Sequence, residues 1–300
     1  MRVLILSTSR ADRNLFAPLD AALRAAGDTV IYNPDQPADV AVALGDRVEM
    51  LCAAHRQIAR GLPLAHIAGG EVTLGSLDDR YRYAISALAD VHFVSLPQYV
   101  DNLWERGITK RVHIVGSLSL DAIAVAKAKL GSERGGHGWL ITTHPETVGD
   151  RTPLHVGVLR KALGLAGRKF TVWTASCNDP GKGIIDETGR DIGDIFYHEA
   201  GPDFYRHMAE ADVMVGNSSA GITEAASFGL PVVNIGIRQH GRIMQPNIIN
   251  VPWNATRIAG AIKRATAPGF RERFASEKNI YGDGKTAGRI VKVLRRMYER

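Results

Sequence analysis

The chain has 300 residues, 45% of them hydrophobic, which suffices for one large core or two smaller ones and excludes a disordered or fibrous protein. Its net charge of +6 and pI near 9.4 suit an anionic small ligand. Aromatic content of 7% with no basic, aromatic-interleaved run excludes nucleic-acid binding, and no apolar stretch reaches membrane-helix length.

The N-terminal MRVLILSTSR reads as a first strand over residues 2–8 rather than a signal peptide, followed by SRAD and a helix that stops at Gly27. TVIY and DVAVALG are predicted strands joined by a short NPDQPA turn, so one helix of the usual alternation is missing. Then come helix 47–60, strand 63–67, a glycine-rich loop, helix 79–89, strand 91–95, helix 97–106, strand 111–115 and helix 120–130. Such alternation predicts a parallel sheet covered on both faces.

Four glycines in GSERGGHG (131–138) predict a linker, after which alternation restarts: strand 139–144, helix 152–166, strand 169–175, strand 194–198, helix 203–210, strand 212–216, helix 219–229 and strand 231–236. Residues 176–193 give no clear pattern. A final helix, 285–299, presents Ile290, Val291, Leu294 and Met297 on one face. The expected domains are 1–130 and 139–280, two doubly wound α/β units facing a cleft, with residues 281–300 packing back across a domain surface.

Two stretches carry candidate chemistry. Residues 45–82 gather Asp46, Glu71, Asp78 and Asp79 at the C-terminal ends of two buried strands, where open α/β sheets place their ligands. Asp46 and Asp79 also fit the reading of helix caps, whereas Glu71 follows Gly69-Gly70 at a strand end, where no cap is needed. His55 and His66 read as core or supporting residues. Clustered acids raise one another's pKa by repulsion, and a carboxylate so tuned serves as a general base. In the second stretch, 216–242, Asn217, Ser218 and Ser219 precede a helix whose N-terminus suits a phosphate. Ordinary capping accounts for the same residues. Glu224 lies within that helix, and Arg238 and Arg242 supply positive charge one helical turn apart. Cys52 and Cys177 have neither disulfide nor zinc spacing, which fits a reducing cytoplasm, and no metal motif or dinucleotide fingerprint is present.

These motifs in this order (SRAD, ALGDRVEML, LAHIAGGEVTLGSLDD, VGSLSLD, TTHPET, GNSSAGITEA, PVVNIGIRQHGR and NIYGDGKTAGRIVKVL) resemble the hydrolysing UDP-N-acetylglucosamine 2-epimerases of the sialic-acid-pathway type. The resemblance spans almost the whole chain. It implies a GT-B fold, a homodimer in the cytoplasm, no cofactor, and conversion of a UDP-2-acetamido sugar to the free 2-epimer and UDP. UDP is favoured over GDP. The family's catalytic residues match Asp46, Glu71, Asp79 and His144, and its substrate contacts match Arg10, Ser218, Ser219, Glu224 and Arg242. One departure stands out: residues 11–44 alone separate Arg10 from Gly45, where the family holds a longer stretch with an extra helix and a histidine-bearing loop. A glycosyltransferase of the same fold, or a non-catalytic nucleotide-sugar binder, remains an alternative. A crowd of three acids favours elimination over glycosyl transfer.

Overall fold

The computed structural model describes all residues except 8–9, 131–137, 149–150, 178, 198–201 and 299–300, and all their side chains except those of 10–14 and 202. The predicted linker thus lies almost wholly outside the described residues. In the first half the order is β1 (Arg2–Ile5), α1 (Arg10–Ala25), β2 (Thr29–Ile31), β3 (Val40–Leu44), α2 (Val48–Ala59), β4 (Leu64–Ile67), α3 (Asp78–Leu88), β5 (Val91–Val94), α4 (Pro97–Trp104), β6 (Val112–Ile114) and α5 (Ser119–Leu130). The second half runs β7 (Trp139–Thr142), α6 (Thr152–Ala166), β8 (Thr171–Thr174), α7 (Lys182–Ile192), β9 (Ile195–Tyr197), α8 (Pro202–Glu210), β10 (Val213–Gly216), α9 (Ser219–Thr223), β11 (Val232–Ile235), β12 (Ile248–Val251), α10 (Ala255–Ala265) and α11 (Thr286–Tyr298).

The chain divides into two compact units. The first comprises residues 1–72, 78–125 and 280–300, and the second 73–77 and 126–279. In the first, a parallel six-stranded sheet has the order β2-β1-β3-β4-β5-β6. β2 and β3 both pair with β1, one on each side, and residues 32–39 make that crossover without a helix, as the sequence led one to expect. Central strands such as LAHI are buried throughout because helices cover both faces. α11 belongs to this unit: Ile290 and Leu294 reach the core formed by Val3, Ile5, Phe16 and Leu19.

The second sheet runs β12-β11-β10-β7-β8-β9, again all parallel, which is the strand order of a dinucleotide-type doubly wound domain. β12 and α10 were not expected from the sequence. β12 is a four-residue edge strand with only Ile249 buried, too short and mixed for a clear pattern. α10 had a readable signal: Asn254 Oδ1 accepts from the Arg257 N–H at 3.0 Å, and Ile258, Ile262 and Ala265 recur at helical spacing. The patternless 176–193 contains α7.

Residues 73–77 leave the first unit's glycine-rich loop and pack within the second. Leu74 N–H donates to the His240 carbonyl at 3.0 Å, and Leu77 N–H to Thr147 Oγ1 at 3.0 Å. Among the described residues, no helix is long and apolar enough to cross a membrane.

Candidate functional site

In the first unit the chain turns back on itself between β1 and β3, and candidate residues sit at the adjoining strand ends. Asp46 follows β3, Glu71 follows β4 and Ser95 follows β5, while Asp79 and Arg82 come from the first turns of α3. The loop that presents Glu71 passes so close to α4 that a Cβ on Gly70 would stand 2.2 Å from the Tyr99 carbonyl oxygen. Gly70 also has φ +74°, and Asn102 Nδ2 donates to its carbonyl at 2.8 Å. Neither constraint admits a side chain.

The acids do not simply face one another. Arg82, fully buried, donates through Nη2 to Asp46 Oδ2, and through Nη1 to Asp79 Oδ1 at 3.0 Å and to the Glu71 carbonyl at 2.9 Å. Mutual repulsion was the expected tuning device, but a guanidinium between Asp46 and Asp79 replaces it with ion pairing, because clustered buried charge requires a counter-charge. Nothing in the sequence pattern marked Arg82 for this part. Glu71 is 6% exposed and its Oε1 accepts from Ser95 Oγ at 3.3 Å. The capping alternative for Asp46 does not hold, since the N-cap of α2 is Arg47, without a side-chain cap. Asp78 and Asp79 lie inside the first turn of α3, where their charge complements the helix dipole.

His66 is a supporting residue, as read from the sequence. Its Nε2–H donates to the Gly45 carbonyl at 2.8 Å and its Nδ1 accepts from Ser86 Oγ at 2.9 Å, which fixes the turn leading into Asp46. Burial holds its pKa down to about 4, and burial does the same for His92. An unfolded histidine titrates near ~6.5, so below that pH the unfolded chain binds protons that the folded one refuses. Stability present above about pH 6.5 is therefore expected to be lost progressively as pH falls toward ~4, read as a declining thermal midpoint. His92→Leu should make that decline shallower. A midpoint unchanged across the window would contradict this account.

In the second unit the corresponding switch point lies between β7 and β10, and His144 and Asn217 follow those two strands. Asn217 is fully buried. Its Oδ1 accepts from the His144 N–H at 2.7 Å and its Nδ2 donates to the His144 carbonyl at 2.9 Å, so one side chain pins the histidine backbone. Gln239 Nε2 in turn donates to the Asn217 carbonyl at 2.9 Å. The His144 ring accepts at Nδ1 from the Cys177 N–H at 3.0 Å, which leaves the proton on Nε2. Burial, then the charges of Arg238 and Lys182, hold its pKa well below 6.5. At neutral pH His144 is an uncharged hydrogen-bond donor.

Lys182, with Nζ 2.9 Å from Asp186 Oδ2, donates to the Ser176 carbonyl at 2.8 Å, and Asp186 Oδ1 accepts from the Ser176 N–H at 2.7 Å. Arg238 lies 3.9 Å from Asp179 with its side chain 11% exposed. Asp179, Lys182 and Asp186 came from the stretch that gave no sequence pattern, so spacing could not find them, whereas Arg238 was read from the sequence as a source of positive charge. The Cys177 thiol donates to Asp179 Oδ2 at 3.0 Å, and burial pushes it up to about 11, which makes it a poor nucleophile.

Two expectations here need correction. The helix expected over 219–229 ends at Thr223, and a 3-10 turn, Ala225–Phe228, follows. Gln245 Nε2 takes the Ile222 carbonyl at 2.9 Å and Asn279 Nδ2 the Thr223 carbonyl at 2.7 Å, so side chains replace the partners a longer α-helix would supply. With only five residues its dipole is small, and Ser218 Oγ already caps Ala220 N–H at 3.3 Å. Ser219 opens the helix beside it. Second, residues 237–242 form an irregular turn, not a helix, so Arg238 and Arg242 are not one helical turn apart. Arg242 is half-buried in that turn. Glu224 stands half-buried at the break and lies near Tyr205, whose phenol is raised by burial and then by this carboxylate. The side chain of Arg10, which opens α1 rather than a loop, lies outside the described residues. Among the described residues no group of three His, Cys, Asp or Glu side chains could hold a metal ion.

The family model described as UDP-N-acetylglucosamine 2-epimerase matches residues 30–295. A UDP-N,N'-diacetylbacillosamine 2-epimerase (hydrolyzing) from Legionella pneumophila is 33% identical over 285 residues, covering 90% of this chain and 74% of its own length. Among solved structures, the UDP-GlcNAc 2-epimerase from Neisseria meningitidis bound to UDP-GlcNAc superposes with a TM-score of 0.82 at 17% identity, over 99% of this chain and 100% of that one. A glycosyltransferase involved in lipopolysaccharide biosynthesis reaches 0.54 at 12% identity, over 98% and 99%. The fold is accordingly GT-B-like.

Proposed function

The chain belongs to the UDP-N-acetylglucosamine 2-epimerase family, and from that premise we propose that it is a hydrolysing nucleotide-sugar 2-epimerase. The substrate is a UDP-2-acetamido sugar such as UDP-N-acetylglucosamine, and the products are the free 2-epimer and UDP. The observation that carries this reading is Arg82 at the strand ends of the first sheet, which holds the Asp46 and Asp79 carboxylates and the main-chain carbonyl of Glu71. Names of relatives support the hydrolysing type. Homodimerisation carries over from the family as part of the same proposal.

Glu71 removes the C2 proton. Asp46 and Asp79 are held by ion pairs with Arg82, and Glu71, presented at the end of β4, accepts from the Ser95 hydroxyl. The C2–H electron pair becomes the C1=C2 bond as the C1–O bond breaks and UDP leaves with its electrons. In the second unit the His144 Nε2–H donates to the departing diphosphate, and Arg238 supplies the positive charge that a neutral imidazole cannot. Water then adds its oxygen at C1 of the glycal and a proton returns to C2 from the opposite face, with Asp46 assisting. Ser218, Ser219 and Glu224 bind the nucleotide portion.

Incubation with UDP-N-acetylglucosamine and related donors in D₂O, without metal or nicotinamide, should yield UDP and a free sugar deuterated at C2 by NMR. Binding without release for every donor would favour a non-catalytic binder. Transfer to an added acceptor with C2 unlabelled would establish a glycosyltransferase.

A further inference from the structure

We propose that Glu146 is a positioning residue for the diphosphate site, its carboxylate fixing the turn that presents Arg238; this rests on the diphosphate role given to Arg238 above. Glu146 lies two residues beyond His144 and is 6% exposed. Its Oε1 accepts from the Ile237 N–H at 2.8 Å and from the Arg238 N–H at 3.2 Å, so one oxygen holds two successive backbone groups of the turn after β11. The turn is built around that oxygen. Gly236 has φ +78°, and a Cβ there would stand 2.1 Å from Glu146 Oε1 and 2.3 Å from Trp253 Nε1. Trp253 is backed by His155 in a parallel stack, 4.2 Å between centroids and 4° between planes.

Segment 73–77 packs against the same backbone, where a Cβ on Gly75 would stand 2.6 Å from the Arg238 nitrogen. A cavity of about 610 Å³, lined by Val148, Ile237, Val251 and Pro252 among others, opens beside the turn. Beside it the Glu146 carboxylate supplies the hydrogen bonds to the Ile237 and Arg238 N–H groups, and a segment held by such bonds loosens when they are lost. The opposite end of the same loop is pinned by Asn217 at His144, so a single support holds the neutral donor and the fixed charge. Glu146 acts through Arg238 and need not touch the ligand.

The test uses the full chain with UDP as the probe, read by calorimetry and amide hydrogen exchange. Glu146→Ala should weaken UDP binding by about tenfold and speed exchange at Ile237 and Arg238 by at least that factor, since hydrogen bonds to a charged group are lost. Glu146→Gln keeps an oxygen acceptor and should restore affinity to within about threefold. Added to Arg238→Met, Glu146→Ala should cause no further loss. The proposal is overturned if Glu146→Ala leaves exchange and affinity at parental levels, or weakens UDP equally on the Arg238→Met background. If Arg238→Met alone leaves UDP affinity unchanged, the diphosphate role of Arg238 fails instead, and the exchange rates still decide whether Glu146 holds the turn.

Discussion

Glu71→Gln is expected to lower turnover by roughly two orders of magnitude or more while UDP affinity stays within about twofold, because it removes a titratable oxygen and little else. The amide has the carboxylate's shape, and its oxygen can still accept from Ser95 Oγ. The loop that carries it is fixed by Gly70, Tyr99 and Asn102 through the backbone, so the substitution should leave the local fold in place. Steady-state kinetics with UDP-N-acetylglucosamine, alongside UDP calorimetry, separates the alternatives. Normal turnover would make the carboxylate structural. Joint loss of UDP binding and thermal stability would mean that Glu71 supports the fold and that the chemistry lies elsewhere. Asp46→Asn should also slow turnover, but with a loss of stability, since Asp46 is a partner of Arg82.

The largest effect on stability is expected from Arg82→Met. Arg82 is among the largest fully buried side chains and meets two carboxylates and the Glu71 carbonyl. Removing it strands two acids that are themselves mostly buried, at 25% and 18% side-chain exposure. Breaking a buried ion pair by deleting one partner costs about 3–5 kcal/mol, which corresponds to a fall in Tm on the order of 10 °C for a unit of this size. Lysine should restore little, because a single ammonium group cannot reproduce the planar fork that reaches three acceptors. Urea unfolding monitored by circular dichroism measures the change. A difference below about 1 kcal/mol would mean that the carboxylates find other compensation, and the account of the acid cluster would fall with it.

Local pattern made much of the fold readable. Buried β-branched runs such as VAVAL and LAHI, each followed by helical spacing, specify parallel strands because both faces of such a sheet are covered. The strand ends then follow, and with them Asp46, Glu71, His144 and Asn217, since each lies within a few residues of where an apolar run stops. The missing helix between β2 and β3 was legible for the same reason. The edge strand β12 was not: it buries too little to leave a pattern, and the second sheet could not be completed without it.

What the sequence by itself determined about this protein is which residues stand at the C-terminal ends of its strands, because the periodicity of burial is a local property. Only the tertiary structure decided how those residues are charged and held. Arg82 lies 36 positions from Asp46 yet neutralises it, Cys177 fixes the proton of His144 from 33 positions away, and Glu146 reaches Ile237 across 91. Even the length of α9 was set by Gln245 and Asn279, whose amides take the carbonyls that would have continued it. Electrostatic pairing and hydrogen-bond competition act through space, between segments whose adjacency no local pattern encodes, so the residues at the strand ends were legible before their protonation, partners and support were.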